Sequence, residues 1–505
     1  MAVDLDKIKR SFFERVQEEF FRYVQNEIPI RLIYVKEMRL VDRAFIQQHY
    51  LSRIEMMEND NITKEFIEYT SKNTVRMQGL VRKVVKYGIL SHRWLPEGEP
   101  TVEEMLNGTT ADTPGYRKLR KLCEVAGREF VWSDTCCIDK RSSSELDESI
   151  RSMYKWYRNS AVCVVYLAQT VRLEDMAKDE WFRRGWTLQE LLAPAVVKFY
   201  DRNWRPLVKD AVNDKDERRI LQPLVSATGC PEHDLRRFSP GPYAVDERMS
   251  WAARRVTTRA EDMAYSLMGI FDVTIQPAYG EGGERAFCRL VEAIMISGGS
   301  SSVLNWAGMA AESHNSNALP SSPSCYARQP QQTGKSTTGW LQSTEGLDMA
   351  MTSRGLRLKL LILPMIITKH TMDSSSCQLT LSATVQPFDR DVGNITVRVL
   401  GLRELANFEL ALGVFNYVPE DELGHPALRH ISAAYLLCKK TPITHQLQQV
   451  SVSEGRSVIA QTTKLTEYGW NKLSTSKAIH FTLRSVDPDH GAMLVDKSRL
   501  VMVYI

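Results

Sequence analysis

Residues 181–194 read WFRRGWTLQELLAP. Two indoles, Trp181 and Trp186, and two guanidinium groups, Arg183 and Arg184, crowd in front of a short apolar helix. One carboxylate, Glu190, follows Trp186 by about one helical turn. Indole faces stack on cations and flat groups, and guanidinium groups grip phosphates. A carboxylate among them can steady a cation that develops during bond breaking. A plainer reading uses the same residues. Thr187 and Glu190 have the Thr-x-x-Glu spacing of a capping box, in which the Glu side chain reaches back to the first amide of its own helix. The two uses compete for the same oxygens, and spacing leaves both open.

These residues need a scaffold, and residues 83–205 supply one. YGILSHRW, EFVWSDTCCID, SAVCVVYLA and AVVKFYD are short apolar runs, the third rich in β-branched residues on both faces. Strands that are apolar on both faces point to a parallel sheet covered by helices. Between them lie GYRKLRKLCEVAG, with Leu119, Leu122 and Val125 at helical spacing and Gly127 at its end, and SELDESIRSMYKWYRNS, with Ser144 as the expected N-cap. Alternating strands and helices make an α/β domain, whose ligands bind at the carboxyl ends of the strands. Ser91, His92, Arg93 and Trp94 fall at the end of the first strand and Asp134 at the end of the second. With Arg183, Arg184, Trp186 and Glu190 they could line one cleft. Each also has a structural reading: His92 as a hydrogen-bonder after a strand, Asp134 as the cap of its turn, Trp186 as core, the arginines as solvated or ion-paired.

The remaining chain divides by pattern. Residues 1–82 read as helical, with Ile8, Phe12, Val16, Phe20 and Val24 four apart. Residues 206–310 read as mainly helical, and residues 311–350 are rich in Ser, Gly, Gln and Pro, as a linker or mobile loop is. Residues 351–505 alternate as an antiparallel β domain, a sandwich or barrel. Arg254, Arg255 and Arg259 are expected on a helix face, paired with Glu261 and Asp262, and YGEGG is a weak match to a phosphate cradle.

Composition narrows the class. Sixty-five basic against 61 acidic residues leave a net charge of +4, too small to indicate nucleic acid. The nine cysteines include no CxxC pair, so neither a zinc site nor a disulfide framework is expected. Cys136 and Cys137 read as small buried residues, since nothing around them lowers a thiol pKa. The amphipathic N-terminus lacks the apolar centre of a signal peptide, and LKLLILPMII is too short to span a bilayer. A cytoplasmic protein with no membrane span and no metal is the expectation.

In order and spacing, YGILSHRW, FVWSDTCCIDK, ELDESIRSMYKWYRNSAVCVVYLA and WFRRGWTLQELLAP resemble the fungal HET (heterokaryon incompatibility) domain over roughly residues 83–200. SWAARRVTTRAEDMAYSLMGIFDV and YGEGGERAFCRLVEAI resemble the segment that follows it. Two positions depart from the family pattern: Leu95 follows Trp94 where glycine is common, and the second block ends in Ile138-Asp139-Lys140. The resemblance implies a role in non-self recognition and programmed cell death when hyphae fuse. HET domains in turn resemble TIR domains, which implies a TIR-like, flavodoxin-like sheet and places Glu190 where catalytic TIR domains hold their glutamate. Such domains cleave NAD at the nicotinamide–ribose bond, so NAD is the implied substrate and no cofactor is needed. Self-association is implied as well, with the N-terminal or C-terminal region as a recognition surface for a protein partner. A non-enzymatic signalling and self-association module is the alternative that the same fold allows.

Overall fold

A computed structural model describes residues 5–56, 67, 69–70, 74–299, 301–314, 316, 318–327, 349–373, 378–385, 390–398, 408–415, 427–429, 431–440, 471–472, 479–482, 492–494 and 500–504. The chain forms two compact units. The first comprises Met1–Pro240, Arg255–Thr258 and Tyr265–Pro277; the second comprises Gly241–Arg254, Arg259–Ala264 and Ala278–Ile505.

The first unit opens with α1 (Leu5–Glu27), β1 (Arg31–Tyr34), β2 (Arg39–Asp42), α2 (Arg43–Met56) and α3 (Thr74–Val84). Helix α1 buries Phe12, Val16, Phe20 and Val24, the stripe that a four-residue spacing puts on one face. Residues 31–42, expected within a helical region, are instead an antiparallel hairpin. Each of its strands has only four residues, with two apolar residues at the centre, and so short a run carries no period that separates strand from helix. The turn between them holds Met38 at a φ of 51°.

Then follow β3 (Gly88–His92), α4 (Val102–Asn107), α5 (Pro114–Ala126), β4 (Phe130–Trp132), α6 (Ser143–Asn159), β5 (Val162–Tyr166), α7 (Thr187–Leu192) and β6 (Val197–Tyr200). The four strands expected from the apolar runs are all present. They pair in parallel in the order β4-β3-β5-β6, and the hairpin extends the β4 edge antiparallel, so the six-stranded sheet is mixed rather than wholly parallel. Every residue of β3 is buried, as both-face coverage requires. Pro114 in the first turn and Thr113, whose Oγ1 accepts from the Tyr116 amide, start α5, and Gly127 at φ 57° ends it. The N-cap of α6 is Ser142, whose hydroxyl accepts from the Glu145 amide; Ser144, expected in that role, already lies inside the helix.

The chain reverses its direction of travel across the sheet between β3 and β5, its two central strands. The carboxyl end of that pair is the crevice in which doubly wound sheets hold ligands.

Residues 206–310 hold several helices, among them Arg218–Thr228, Val245–Ala252 and Gly283–Ile296, divided between the two units. Part of the expected linker is well packed. Leu319, Cys325 and Tyr326 are buried, and Trp306 Nε1 donates to the Ala318 carbonyl. Apolar anchors hold this Ser- and Pro-rich run down; residues 328–348 of it lie outside the described residues. Among the described residues the second unit holds a nine-stranded antiparallel sheet in the β-rich region expected from residue 351 onward. It is built around the 19-residue strand Gly355–Asp373, long enough to pair with Met349–Thr352, Gln378–Val385, Phe408–Val414 and Leu500–Tyr504. A two-stranded pair, Ala427–Arg429 with Ala492–Leu494, accompanies it.

Candidate functional site

Helix α7 begins without a side-chain cap. The Thr187 hydroxyl lies 2.6 Å from the Trp181 carbonyl and 3.0 Å from that of Arg184, and it accepts from Arg255 Nη1 at 2.9 Å. The capping box suggested by the Thr187–Glu190 spacing is therefore not made. The Glu190 carboxyl reaches across to β3, where its Oε2 accepts from Ser91 Oγ at 2.5 Å. Its own amide bonds to the Trp186 carbonyl at 3.3 Å, so helix geometry carries the side chain to the sheet.

Ser91 has no freedom over its proton. The Trp181 indole, which can only donate, bonds to Ser91 Oγ at 2.8 Å. The serine proton therefore goes to Glu190. Ser91 and Trp181 are wholly buried, and Glu190 retains 9% of its exposure. Burial pushes the Glu190 pKa up to about 7, and the negative charge of Asp134 adds to it; the Ser91 hydrogen bond, the Arg184 charge and Tyr157 pull the other way. At neutral pH the carboxyl is poised between its two forms.

A second group of side chains stands at the ends of β3 and β4. His92 Nε2 lies 3.0 Å from Asp134 Oδ1, and the Trp94 indole donates to Asp134 Oδ2 at 2.7 Å. Burial would raise the Asp134 carboxyl, but His92, Lys140 and Trp94 together bring it down to about 2. Burial and the Lys118 charge lower the His92 pKa, against the pull of Asp134 and Glu99. Its other nitrogen, Nδ1, is buried without a hydrogen bond and lies 3.9 Å from Glu99, which is ion-paired with Lys118. Lys140 lies 3.7 Å over the half-exposed Trp94 ring.

The fold thus gathers Glu190, Ser91, His92, Trp94 and Asp134 at one end of the sheet, with the Arg184 charge in reach of Glu190. Arg93 pairs with Glu180 on the exposed surface, and the Arg183 side chain is exposed. Trp186 is half-buried at the helix start. Trp181, weighed above as a stacking indole, is instead a buried donor to Ser91, and Tyr157, Lys118, Glu99, Lys140 and Arg255 were missed as site residues. None of those five stands in a pattern that marks a site.

Arg255 does not sit on the helix face expected for it. The helix Val245–Ala252 ends before it, and its guanidinium turns to the approach to α7. Around it, residues 255–257 clip the loop 183–185. The Val256 amide bonds to the Arg183 carbonyl at 2.7 Å, and the Gly185 amide to the Val256 carbonyl at 2.9 Å. A methyl group on Gly185 would lie 2.4 Å from Thr257 Cγ2, and a β-branched side chain cannot easily turn away. Gly185→Ala is expected to cost about 1–3 kcal/mol, the usual penalty of overpacking, seen as a lowered urea midpoint.

The YGEGG loop, in the second unit, is not an open cradle. Glu261 Oε1 accepts from the Gly280 and Gly282 amides at 2.9 and 3.1 Å, the donors that a phosphate would need. Cys123, Cys136, Cys137, Cys163, Cys230, Cys288 and Cys325 are buried and form no disulfide, and a hydrogen bond with Cys137 together with burial pushes the Cys136 thiol well up. Among the described residues no group of three or more His, Cys, Asp or Glu side chains is gathered as a metal site, and no helix is long and apolar enough to cross a membrane.

Residues 87–176 match the family described as heterokaryon incompatibility protein (HET), so the chain carries a HET domain. The chain is 42% identical over 227 residues to the vegetative incompatibility protein HET-E-1 of Podospora anserina. That match covers 42% of this chain and 16% of the relative, so the chain spans a minor part of the protein it resembles. No solved structure matches the chain.

Proposed function

We propose that this HET-domain chain acts in vegetative incompatibility, promoting cell death by TIR-like cleavage of NAD at the nicotinamide–ribose bond. One observation carries the catalytic part: Glu190 forgoes its helix cap and turns to Ser91 at the carboxyl end of β3. The parallel order 2-1-3-4 is that of flavodoxin-like sheets, which supports the TIR likeness. The HET match and the relative's role in incompatibility support the biological setting.

The chemistry needs little machinery. The C1′–N bond breaks with its electron pair going to the pyridinium nitrogen, and nicotinamide leaves neutral. The leaving group takes no proton, so the acid partner of ordinary glycosidases is dispensable. Positive charge then develops on the ribose, and an ionised Glu190 steadies it in a water-poor site. A water adds to C1′ as the bond to nitrogen breaks and releases its second proton to solvent, so the products are ADP-ribose, neutral nicotinamide and a proton. Ser91 engages Oε2 and so fixes the carboxylate that the ribose would meet. Trp94 offers a half-exposed ring for stacking, and Arg184 a charge for the pyrophosphate.

The test is nicotinamide release by the purified chain at pH 8, with growth of fungal cells expressing it. Glu190→Ala is expected to lower release at least about a hundredfold and to restore growth. Cell death undiminished in a folded Glu190→Ala protein would sink the catalytic reading and leave a non-enzymatic, self-associating module.

A further inference from the structure

We propose that Arg255 is a positioning residue for Glu190. This rests on reading Glu190 as the reacting carboxylate. Helix α7 spans only Thr187–Leu192 and has no cap of its own, so something else must hold its start. Arg255 Nη1 donates to the Arg184 carbonyl at 2.8 Å and to the Thr187 hydroxyl at 2.9 Å. Those two acceptors lie on either side of the entry to the helix, three residues before Glu190 and six before it. The backbone bonds of Val256 to Arg183 and Gly185 fix the clip from which Arg255 projects. A guanidinium holds two acceptors in a set plane, which a lysine does less well.

The sequence distance makes this more than local packing. Arg255 lies 68 residues after Thr187, in a segment Arg255–Thr258 that groups with the first unit while the chain on both sides belongs to the second. The groups facing Glu190 come from several elements: Ser91 from β3, Cys163 from β5, Tyr157 from α6, Asp134 after β4, Arg184 from the clipped loop and Arg255 from the clip. Loss of Arg255 releases the helix start, loosens the Ser91 bond and removes a cation. All three favour the protonated carboxyl.

The experiment is a pH titration of tryptophan fluorescence in the full chain. Trp181 bonds to Ser91, and Ser91 to Glu190, so protonation of Glu190 changes the surroundings of this indole. The signal from the other tryptophans is removed by subtracting the same titration of Glu190→Gln. Arg255→Met is expected to raise the midpoint by about one pH unit, and Arg255→Lys, which keeps the charge, by less. In an active preparation Arg255→Met also lowers kcat by about tenfold or more with KM little changed, as misplacement of a reacting group does. A folded Arg255→Met with the wild-type midpoint overturns the proposal. If that variant does not fold, Arg255→Lys decides: a raised midpoint supports positioning, and the wild-type midpoint overturns it. The titration does not use NAD. A wild-type chain that leaves NAD intact while Arg255 variants shift the midpoint would defeat the proposed reaction and not the positioning role.

Discussion

Glu190→Gln is expected to make the protein more stable at pH 8 while it abolishes NAD cleavage. The buried carboxyl titrates near 7 in the fold against an ordinary value of 4.5. Between those values the folded chain holds the proton and the unfolded chain has released it. Stability therefore falls as pH rises through that window, and the loss is complete above about pH 8. It amounts to about 3 kcal/mol at the usual conversion of pKa differences to free energy. The amide that replaces the carboxyl carries no charge at any pH, and its carbonyl still accepts from Ser91. Urea midpoints for wild type and Glu190→Gln should coincide near pH 4 and separate towards pH 8, with the variant higher. The opposite order at pH 8 would show that the ionised carboxylate is a stabilising structural group. With the expected order, the site has been built at a cost to the fold, as functional sites commonly are.

Trp181→Ala has the second large effect. The indole is wholly buried and stands edge-on to Phe182 and Phe199, with ring centres 4.9 and 6.1 Å away. Its removal is expected to cost about 3–5 kcal/mol, the usual loss for a large buried aromatic. Trp181→Phe separates packing from hydrogen bonding. It keeps a ring between the two phenylalanines and removes the donor to Ser91 Oγ, which is expected to cost about 1 kcal/mol. Without that donor the Ser91 hydroxyl is free to rotate and no longer commits its proton to Glu190. Nicotinamide release should then fall more than the small change in urea midpoint would suggest. Equal, small losses in both would leave Trp181 a packing residue.

Much of the first unit is legible in the sequence. Strands β3, β4, β5 and β6 and helices α5 and α6 announce themselves by apolar runs and by helical spacing over a dozen residues or more. The hairpin of residues 31–42 was not legible, because four-residue strands are too short to show a period and gain their place by pairing Ile33 with Val131 and Tyr34 with Phe130. In the site, Ser91, His92, Trp94, Asp134 and Glu190 could be named from their places at strand ends and in the tryptophan–arginine run. Arg255 could not: its arginine-rich surroundings suggested an ion-paired helix face, and nothing local distinguishes a buried guanidinium from a solvated one.

Local pattern was enough to decide that the chain would build four parallel strands covered by helices and would set a carboxylate just inside the helix after the third of them, though not that a hairpin would extend the sheet antiparallel. Such patterns act between residues a few positions apart, where periodicity and capping chemistry operate. The direction of that carboxylate was a different matter. Thr187 and Glu190 had the spacing to satisfy each other, and each found a remoter partner: Arg255 for the hydroxyl, and Ser91, 99 residues earlier, for the carboxyl. Only the folded chain brings those groups together, and burial there, with the Asp134 charge, lifts the Glu190 pKa to where it can change charge near neutral pH.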